Sequence, residues 1–395
     1  MRRGPILLLP LPRLTLTTLL PLTDVSATAP DPVRTSRPRR WLPRRVLVMK
    51  AAVDLPHTAE VLRRATAAGV EEIDVVGRVS APKGASERET YAWAKSTLAL
   101  VVAPPSARKP QPIPPSADWR IDLARGCPAH CQYCYLAGSL SGPPVTRVFA
   151  NLDEVLAPIG ELAGQGTVTS GTAARGHEGT TFELSCYTDP LGIEHVTGSL
   201  AAAVQRVGTG AYGDGVSLRF TTKFDDVEEL AGLDHGGRTR ARFSVNAAEV
   251  AARFDGGTAP MPGRLQALAT LAAAGYPVGL TVAPVMPVEG WRDAYGQLLD
   301  DVRASLAPVA AADGHPVDLT VEVITHRFTP GSRDVLLSWY PKTRLEMDES
   351  ARSQKRSKFG GVKYVYPRDT MRELRSWFET EVPARLPGTP LLYLT

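Results

Sequence analysis

The chain has 395 residues, 43% of them hydrophobic, which is ample for a sizeable core, and its four cysteines are too few for a disulfide-rich secreted framework. The formal net charge of +4 comes from one end: residues 1–50 hold ten Lys/Arg and two Asp/Glu, and the remaining 35 basic and 39 acidic residues leave the rest at −4. Global charge therefore gives no case for nucleic acid, and any such surface must be local.

Residues 1–44 read apart from the remainder. A basic start, a leucine run and the small residues Ala27 and Ala29 imitate a secretory signal, but Pro10, Pro12 and Arg13 interrupt the apolar run. The segment reads as a disordered tail or a wrongly assigned start, and the run 34–45 as solvated basic chain rather than a DNA contact. Nothing resembles an uninterrupted apolar helix of about 20 residues, so no membrane partner is expected, and the expected location is the cytoplasm.

Residues 45–105 read as a small α/β domain: a strand in RVLVMKAAV (45–53), a helix over 57–70 ending near Gly69, a strand in EEIDVVGRV (71–79), then a helix end and a strand in YAWAKSTLALVV (91–102). The Pro-rich stretch 103–120 reads as a linker. From Ile121 strands and helices alternate. Strands are predicted in 182–187, 217–224, 242–246, 277–285 and 317–328, and helices near 199–207, 264–275 and 295–306. The fold class is α/β: a parallel sheet forming a partial or full β/α barrel over 106–340, with chemistry at the strand C-terminal ends. Residues 163–180, rich in Gly and Thr, read as a flexible insertion, and 341–395 as a C-terminal extension.

The strongest signal is RGCPAHCQYCYL (125–136), which spaces Cys127, Cys131 and Cys134 as C-x-x-x-C-x-x-C. Three thiolates bind three irons of a [4Fe–4S] cubane and leave the fourth open, a departure from the usual all-cysteine ligation. An open iron lets a substrate chelate the metal. A zinc site completed by His130 or His177 is the alternative, but zinc ligands usually come in pairs spaced along the chain. This spacing, followed by a β/α array, resembles the radical S-adenosylmethionine (SAM) enzymes, in which the amino acid end of SAM is that chelator. Cys186 stands at the end of a predicted strand, before Thr188, Asp189 and Pro190. As a residue type it reads as a small buried hydrophobe. Its position favours the active face, where a weak S–H bond suits hydrogen-atom donation to a carbon radical.

From about Val46 to the C-terminus the chain resembles the spore photoproduct lyases. The resemblance is carried by CPAHCQYCYLAG, TRVFANLDEVL, FELSCYTDPLGIEHVTGSL, LRFTTKFDDVEEL, GRTRARFSVNAAEV, AGYPVGLTVAPV, ITHRFT, YPKTRLEMDE and KYVYPRD. It implies a radical SAM partial barrel that repairs a methylene-bridged thymine dimer in DNA. One electron, from a donor such as flavodoxin or ferredoxin, reduces the cluster; SAM yields a 5′-deoxyadenosyl radical, the bridge breaks, and a cysteine matching Cys186 quenches the thymine radical. The resemblance gives Tyr133, Tyr135 or both a hydrogen relay that re-forms SAM, against ordinary packing, and makes Lys223, Ser244 and Ala283 SAM contacts. The family typically reads S-C-T-S-D where this chain has Ser185, Cys186, Tyr187, Thr188 and Asp189, so Tyr187 narrows the pocket. The alternatives are a radical SAM enzyme of the same ancestry acting on a different nucleic-acid lesion or another substrate, and a non-catalytic metal-bound nucleic-acid-binding protein.

For DNA, residues 351–363 hold Arg352, Lys355, Arg356, Lys358 and Lys363 with no acid, and Tyr364 and Tyr366 follow. Phosphates need such charge, and a flipped base needs an aromatic surface. An ordinary solvated loop is the bland reading. Arg327, at a strand end, is a further phosphate candidate.

Overall fold

The computed structural model describes residues 40–140, 142–169, 171–172, 175–356 and 361–395. In chain order its strands are β1 (Arg45–Met49), β2 (Glu72–Val76), β3 (Thr97–Val101), β4 (Gln111–Ile113), β5 (Ala117–Ile121), β6 (Ala124–Arg125), β7 (His130–Cys131), β8 (Thr146–Phe149) and β9 (Thr180–Leu184). They continue with β10 (Val216–Thr222), β11 (Thr239–Val245), β12 (Asp255–Gly256), β13 (Val278–Val285), β14 (Leu319–Thr325), β15 (Ser353–Arg356), β16 (Val362–Val365) and β17 (Leu391–Leu394).

Eight strands make one sheet in the order β17-β14-β13-β11-β10-β9-β5-β4, a curled half-barrel. Its neighbours are parallel except the edge pair β4–β5. Its strands alternate with period two. Leu218, Phe220, Ala241, Phe243, Leu280, Val282, Val321 and Val323 belong to the main core, which also takes in apolar residues of the helices Ser199–Gly208, Met261–Ala273 and Trp291–Asp313. The intervening positions turn a polar face into the lumen. There Arg219 pairs with Glu322 at 2.8 Å, Arg242 bridges Glu183 and Glu322, and Tyr393 donates to Glu322 at 2.9 Å. The four charged groups are almost wholly buried, so each charge depends on its partners. Removing one partner costs about 3–5 kcal/mol by stranding the other.

The second sheet has the order β2-β1-β3-β8-β6. Three of its strands come from residues 45–101, and β6 and β8 flank the cysteine loop. The sheet is therefore discontinuous in the chain, and the loop between Arg125 and Thr146 has both feet in it.

The structure corrects two local readings. Residues 103–120 are not simply a linker: their second half is the β4–β5 hairpin at the edge of the half-barrel, where Pro112 lacks only a donor that an edge strand does not need. The described part of 163–180 is tied down by buried Asp118, whose carboxylate accepts from the backbone N–H of Val168, Thr169 and Thr181 and from the Thr169 hydroxyl. The tail reading falls mostly on residues 1–39, outside the described residues. The chain is already engaged where description begins: Arg40 pairs with Asp226 at 2.7 Å and the Trp41 indole donates to the Lys95 carbonyl at 3.0 Å.

Candidate active site

Glycine opens the cysteine loop for a steric reason. Gly126 has φ +88°, and a Cβ there would lie 2.2 Å from the Val145 carbonyl oxygen. The loop is fixed from outside by Lys95, at the end of the helix Glu87–Lys95. Its ammonium, 8% exposed, donates to the carbonyls of Cys127 (2.7 Å) and Ala129. The loop is fixed from inside by β7, which pairs Cys131 with Asp255 of β12.

Cys127, Cys131 and Cys134 line one cavity together with Lys95, Leu136, Tyr91, Trp339 and Tyr340. Burial pushes the Cys127 thiol up to about 12 and the Cys131 thiol higher still, so these sulfurs need a cation to become thiolates. Among the described residues no group of three or more His, Cys, Asp or Glu side chains is arranged to hold a single metal ion; the three thiols surround a cavity instead. The Nδ1 of His130, one of the two imidazoles the zinc alternative would use, is engaged with the Tyr91 hydroxyl at 3.2 Å. Three sulfurs on one wall fit a cubane held through three irons.

The strand C-terminal ends bring the remaining groups to this rim. Lys223, just past β10, donates to the Tyr133 hydroxyl (2.8 Å) and to the Ala283 carbonyl (3.3 Å) and pairs with Asp255 (3.1 Å). Burial, with Arg264 close by, pushes the Lys223 ammonium down to about 7, and burial lifts Asp255 to about 6. Arg264 holds the same Asp255 at 2.8 Å and donates to the Ser244 carbonyl at 2.8 Å. The Ser244 hydroxyl reaches the Ala283 carbonyl at 3.4 Å. Lys223, Ser244 and Ala283 are thus one connected group, and Asp189 anchors it by accepting the Lys223 backbone N–H at 2.7 Å.

Cys186 follows β9 after Ser185, whose φ of 61° turns the chain out of the strand. The Ser185 hydroxyl accepts from the Leu123 N–H (3.0 Å), and the Tyr187 carbonyl accepts from the Gly126 N–H (2.9 Å), which joins the Cys186 turn to the cysteine loop. Burial pushes the Cys186 thiol well above its ordinary value, with Glu183 and Asp122 adding to the effect, so its hydrogen stays on sulfur at neutral pH. Tyr135 is 62% accessible, yet its hydroxyl lies within electrostatic reach of Cys186, Cys134, Asp122 and Glu183. The two tyrosines differ: Tyr133 is hydrogen-bonded to Lys223, whereas Tyr135 is mostly exposed.

The basic segment is a two-stranded ribbon, β15 against β16, docked through a bridge between Phe328 and Tyr364. Lys355 lies directly opposite Lys363, and both Arg327 and Lys355 bear electrostatically on Lys363. Arg327, Lys355 and Arg356 are exposed, and Lys358 lies outside the described residues. Arg352 is not part of this surface. It is buried, pairs with Glu346, donates to the His326 carbonyl at 3.0 Å and stacks 3.8 Å from the Tyr366 ring centre. Tyr364 is stacked on Phe328. Both tyrosines expected to receive a base are thus engaged in packing. Lys95, Asp255 and Arg264 had no mark in the sequence, because an ordinary-looking charge becomes notable only when the fold buries it.

A β/α half-barrel with three cysteines on one loop at its mouth is the architecture of a radical SAM iron–sulfur enzyme, a class whose cofactors are a [4Fe–4S] cluster and SAM. The family model for spore photoproduct lyase matches residues 41–395. The spore photoproduct lyase of Geobacillus sp. (strain Y412MC61) is 36% identical over 357 residues, 90% of this chain and 99% of that one. The Bacillus subtilis (strain 168) lyase is 34% identical over the same shares. A solved spore photoproduct lyase complexed with dinucleoside spore photoproduct has a TM-score of 0.79 at 35% identity, covering 89% of this chain and 99% of that one. A mutant of such a lyase with bound AdoMet and dinucleoside spore photoproduct also gives 0.79 at 35% identity, covering 90% and 99%. The chain belongs to the spore photoproduct lyase family.

Proposed function

We propose that this chain restores two thymines from the spore photoproduct, the methylene-bridged thymine dimer of DNA, as a radical SAM lyase. The observation that carries the reading is the placement of Cys186, on a turn just past β9 that the hydrogen bond from the Gly126 N–H to the Tyr187 carbonyl ties to the cysteine loop. Cys127, Cys131 and Cys134 hold the cluster, and Lys223, Ser244 and Ala283 receive SAM. When bound, these cofactors supply the 5′-deoxyadenosyl radical that takes a hydrogen atom from the saturated thymine ring. Once the methylene bridge has broken, Cys186 gives its hydrogen atom to the thymine radical and becomes a thiyl. Tyr135 refills the thiyl with its phenolic hydrogen. Lys223 donates to the Tyr133 oxygen, which leaves that phenol's own hydrogen free for the last step of the relay. The reaction belongs in the cytoplasm, where SAM and a small electron donor such as flavodoxin or ferredoxin are at hand. Among the described residues no helix is long and apolar enough to cross a membrane.

Lys223→Met is expected to raise the SAM concentration for half-maximal cleavage by about tenfold or more, the effect of losing one charge-assisted bond of about 1.5–3 kcal/mol. An unchanged SAM titration would remove Lys223 from the cofactor site.

Like charges directly opposite on a ribbon repel, so the Lys355–Lys363 pair favours an anionic partner. Arg327, Lys355, Arg356 and Lys358 are read as phosphate contacts. Replacing Lys355 and Lys363 with Gln is expected to weaken duplex binding uniformly across sequences and to lower the salt slope by about 0.9 for each phosphate no longer neutralised. A slope equal to that of the native chain would place DNA elsewhere.

The test of the whole reading is anaerobic. The protein is reconstituted with iron and sulfide, reduced, and given SAM with a synthetic spore-photoproduct dinucleotide. Two thymines with little net SAM consumed are expected. Formation of 5′-deoxyadenosine without repair would overturn the substrate and keep the radical chemistry.

A further inference from the structure

A second cavity, of about 330 Å³, has its wall formed by residues flanking the Cys186 turn. Lys109, Gln111, Arg120 and Arg125 line it with Ser106 and a single acid, Asp122. None of these basic residues takes part in the hydrogen relay or the ribbon. Both guanidiniums lie over one ring: Arg120 is 4.7 Å and Arg125 5.5 Å from the centre of Tyr187. Tyr187 is one of the two residues, with Thr188, at which this chain leaves the family pattern S-C-T-S-D, and here it gathers two cations beside Cys186.

Asp122 offsets them only in part. It reaches Arg125 at 3.5 Å, is 4% exposed, and accepts from the Cys186 backbone N–H. Its other carboxylate oxygen is buried without a hydrogen-bond partner among the described residues. Three cations against one acid leave an excess of positive charge in a concave site, which favours an anion with several acceptor oxygens. The substrate itself carries such an anion. Two thymines joined in a DNA strand are linked and flanked by phosphodiesters, so a thymine presented to the Cys186 sulfur brings a phosphate within a nucleotide's length of it.

We propose that Lys109, Arg120 and Arg125 grip a backbone phosphate of the damaged strand beside Cys186. This rests on the repair reading above. The site holds the strand on the Cys186 side of the lumen, while the ribbon holds DNA from the other end of the chain.

The test compares one lesion in two forms: the dinucleoside, which has no phosphate, and a short single-stranded oligonucleotide. Lys109→Gln is the first variant because Lys109 is exposed; Arg120→Gln is the second. Each is expected to weaken oligonucleotide binding about fivefold and to lower its salt slope by about 0.7, the share of one single-strand phosphate. Repair of the dinucleoside by Lys109→Gln should stay within about twofold of the native rate, as expected for a side chain whose role is in charge-dependent binding alone. Equal losses on both substrates would assign these residues to holding the fold of the Cys186 turn and overturn the proposal. So would oligonucleotide binding that neither variant changes, or inorganic phosphate competing equally against both substrates. Native protein that repairs neither substrate would instead overturn the repair reading itself.

Discussion

Protein carrying Cys131→Ala is expected to fold, to emerge from anaerobic reconstitution without iron–sulfur absorbance, and to lose both SAM cleavage and thymine repair. Cys131 is the middle cysteine of the three, and its backbone pairs with Asp255, the partner of Lys223. Truncating the side chain leaves that backbone pairing in place, so the lost function is separable from a lost fold. With only two thiols on the cavity wall, two irons remain anchored and the cubane has no third support. Far-ultraviolet circular dichroism and the thermal midpoint serve as controls. Full absorbance with an unchanged iron content would remove Cys131 from the ligand set.

The Cys186→Ala variant separates what the first variant destroys together. SAM cleavage is expected to persist, because the groups that hold Lys223 are Tyr133, Asp189, Asp255 and the Ala283 carbonyl rather than the Cys186 thiol. Thymine recovery is expected to fall steeply, because the thymine radical loses its hydrogen-atom donor. Side adducts should replace the lost product, since a thymine radical with no thiol beside it reacts with whatever is near. Cys186→Ser should behave like the alanine variant, because an aliphatic alcohol O–H bond, unlike that of a phenol, is too strong to give up its hydrogen atom. The phenol of Tyr135 would then have no thiyl to refill, so 5′-deoxyadenosine should accumulate with turnover. Normal repair product from either variant would sink the assignment.

Much of this was readable from residue order alone. Period-two strands such as Arg240-Ala241-Arg242-Phe243-Ser244 alternating with helices imply a parallel half-barrel, and the cysteine spacing implies its cofactor. The strand end expected before Cys186 is there, since β9 closes at Leu184. The β4–β5 hairpin was not legible, because Pro112, Pro114 and Pro115 signal interruption, and an edge strand is the one place in a sheet that tolerates it. Lys95 was illegible for another reason: it sits where any helix might end in a solvated lysine, and only the arrival of Cys127 and Ala129 from a distant loop makes it a buried donor. Arg352 misled in the opposite sense. It belongs to a basic run by sequence, but the fold turns it inward onto Glu346, His326 and Tyr366.

The discontinuous five-stranded sheet bears on what counts as the catalytic part of this molecule. The cysteines are numbered with the barrel, but the loop that carries them starts from β6 and returns through β8, both members of the sheet founded by β1–β3, and Lys95 from that same early region holds two of its carbonyls. A fragment cut at the apparent border near residue 106 would keep every sulfur and lose the ground they stand on. Residues 45–101 are thus the mount of the cysteine loop, and a shorter active version of this enzyme has to keep them.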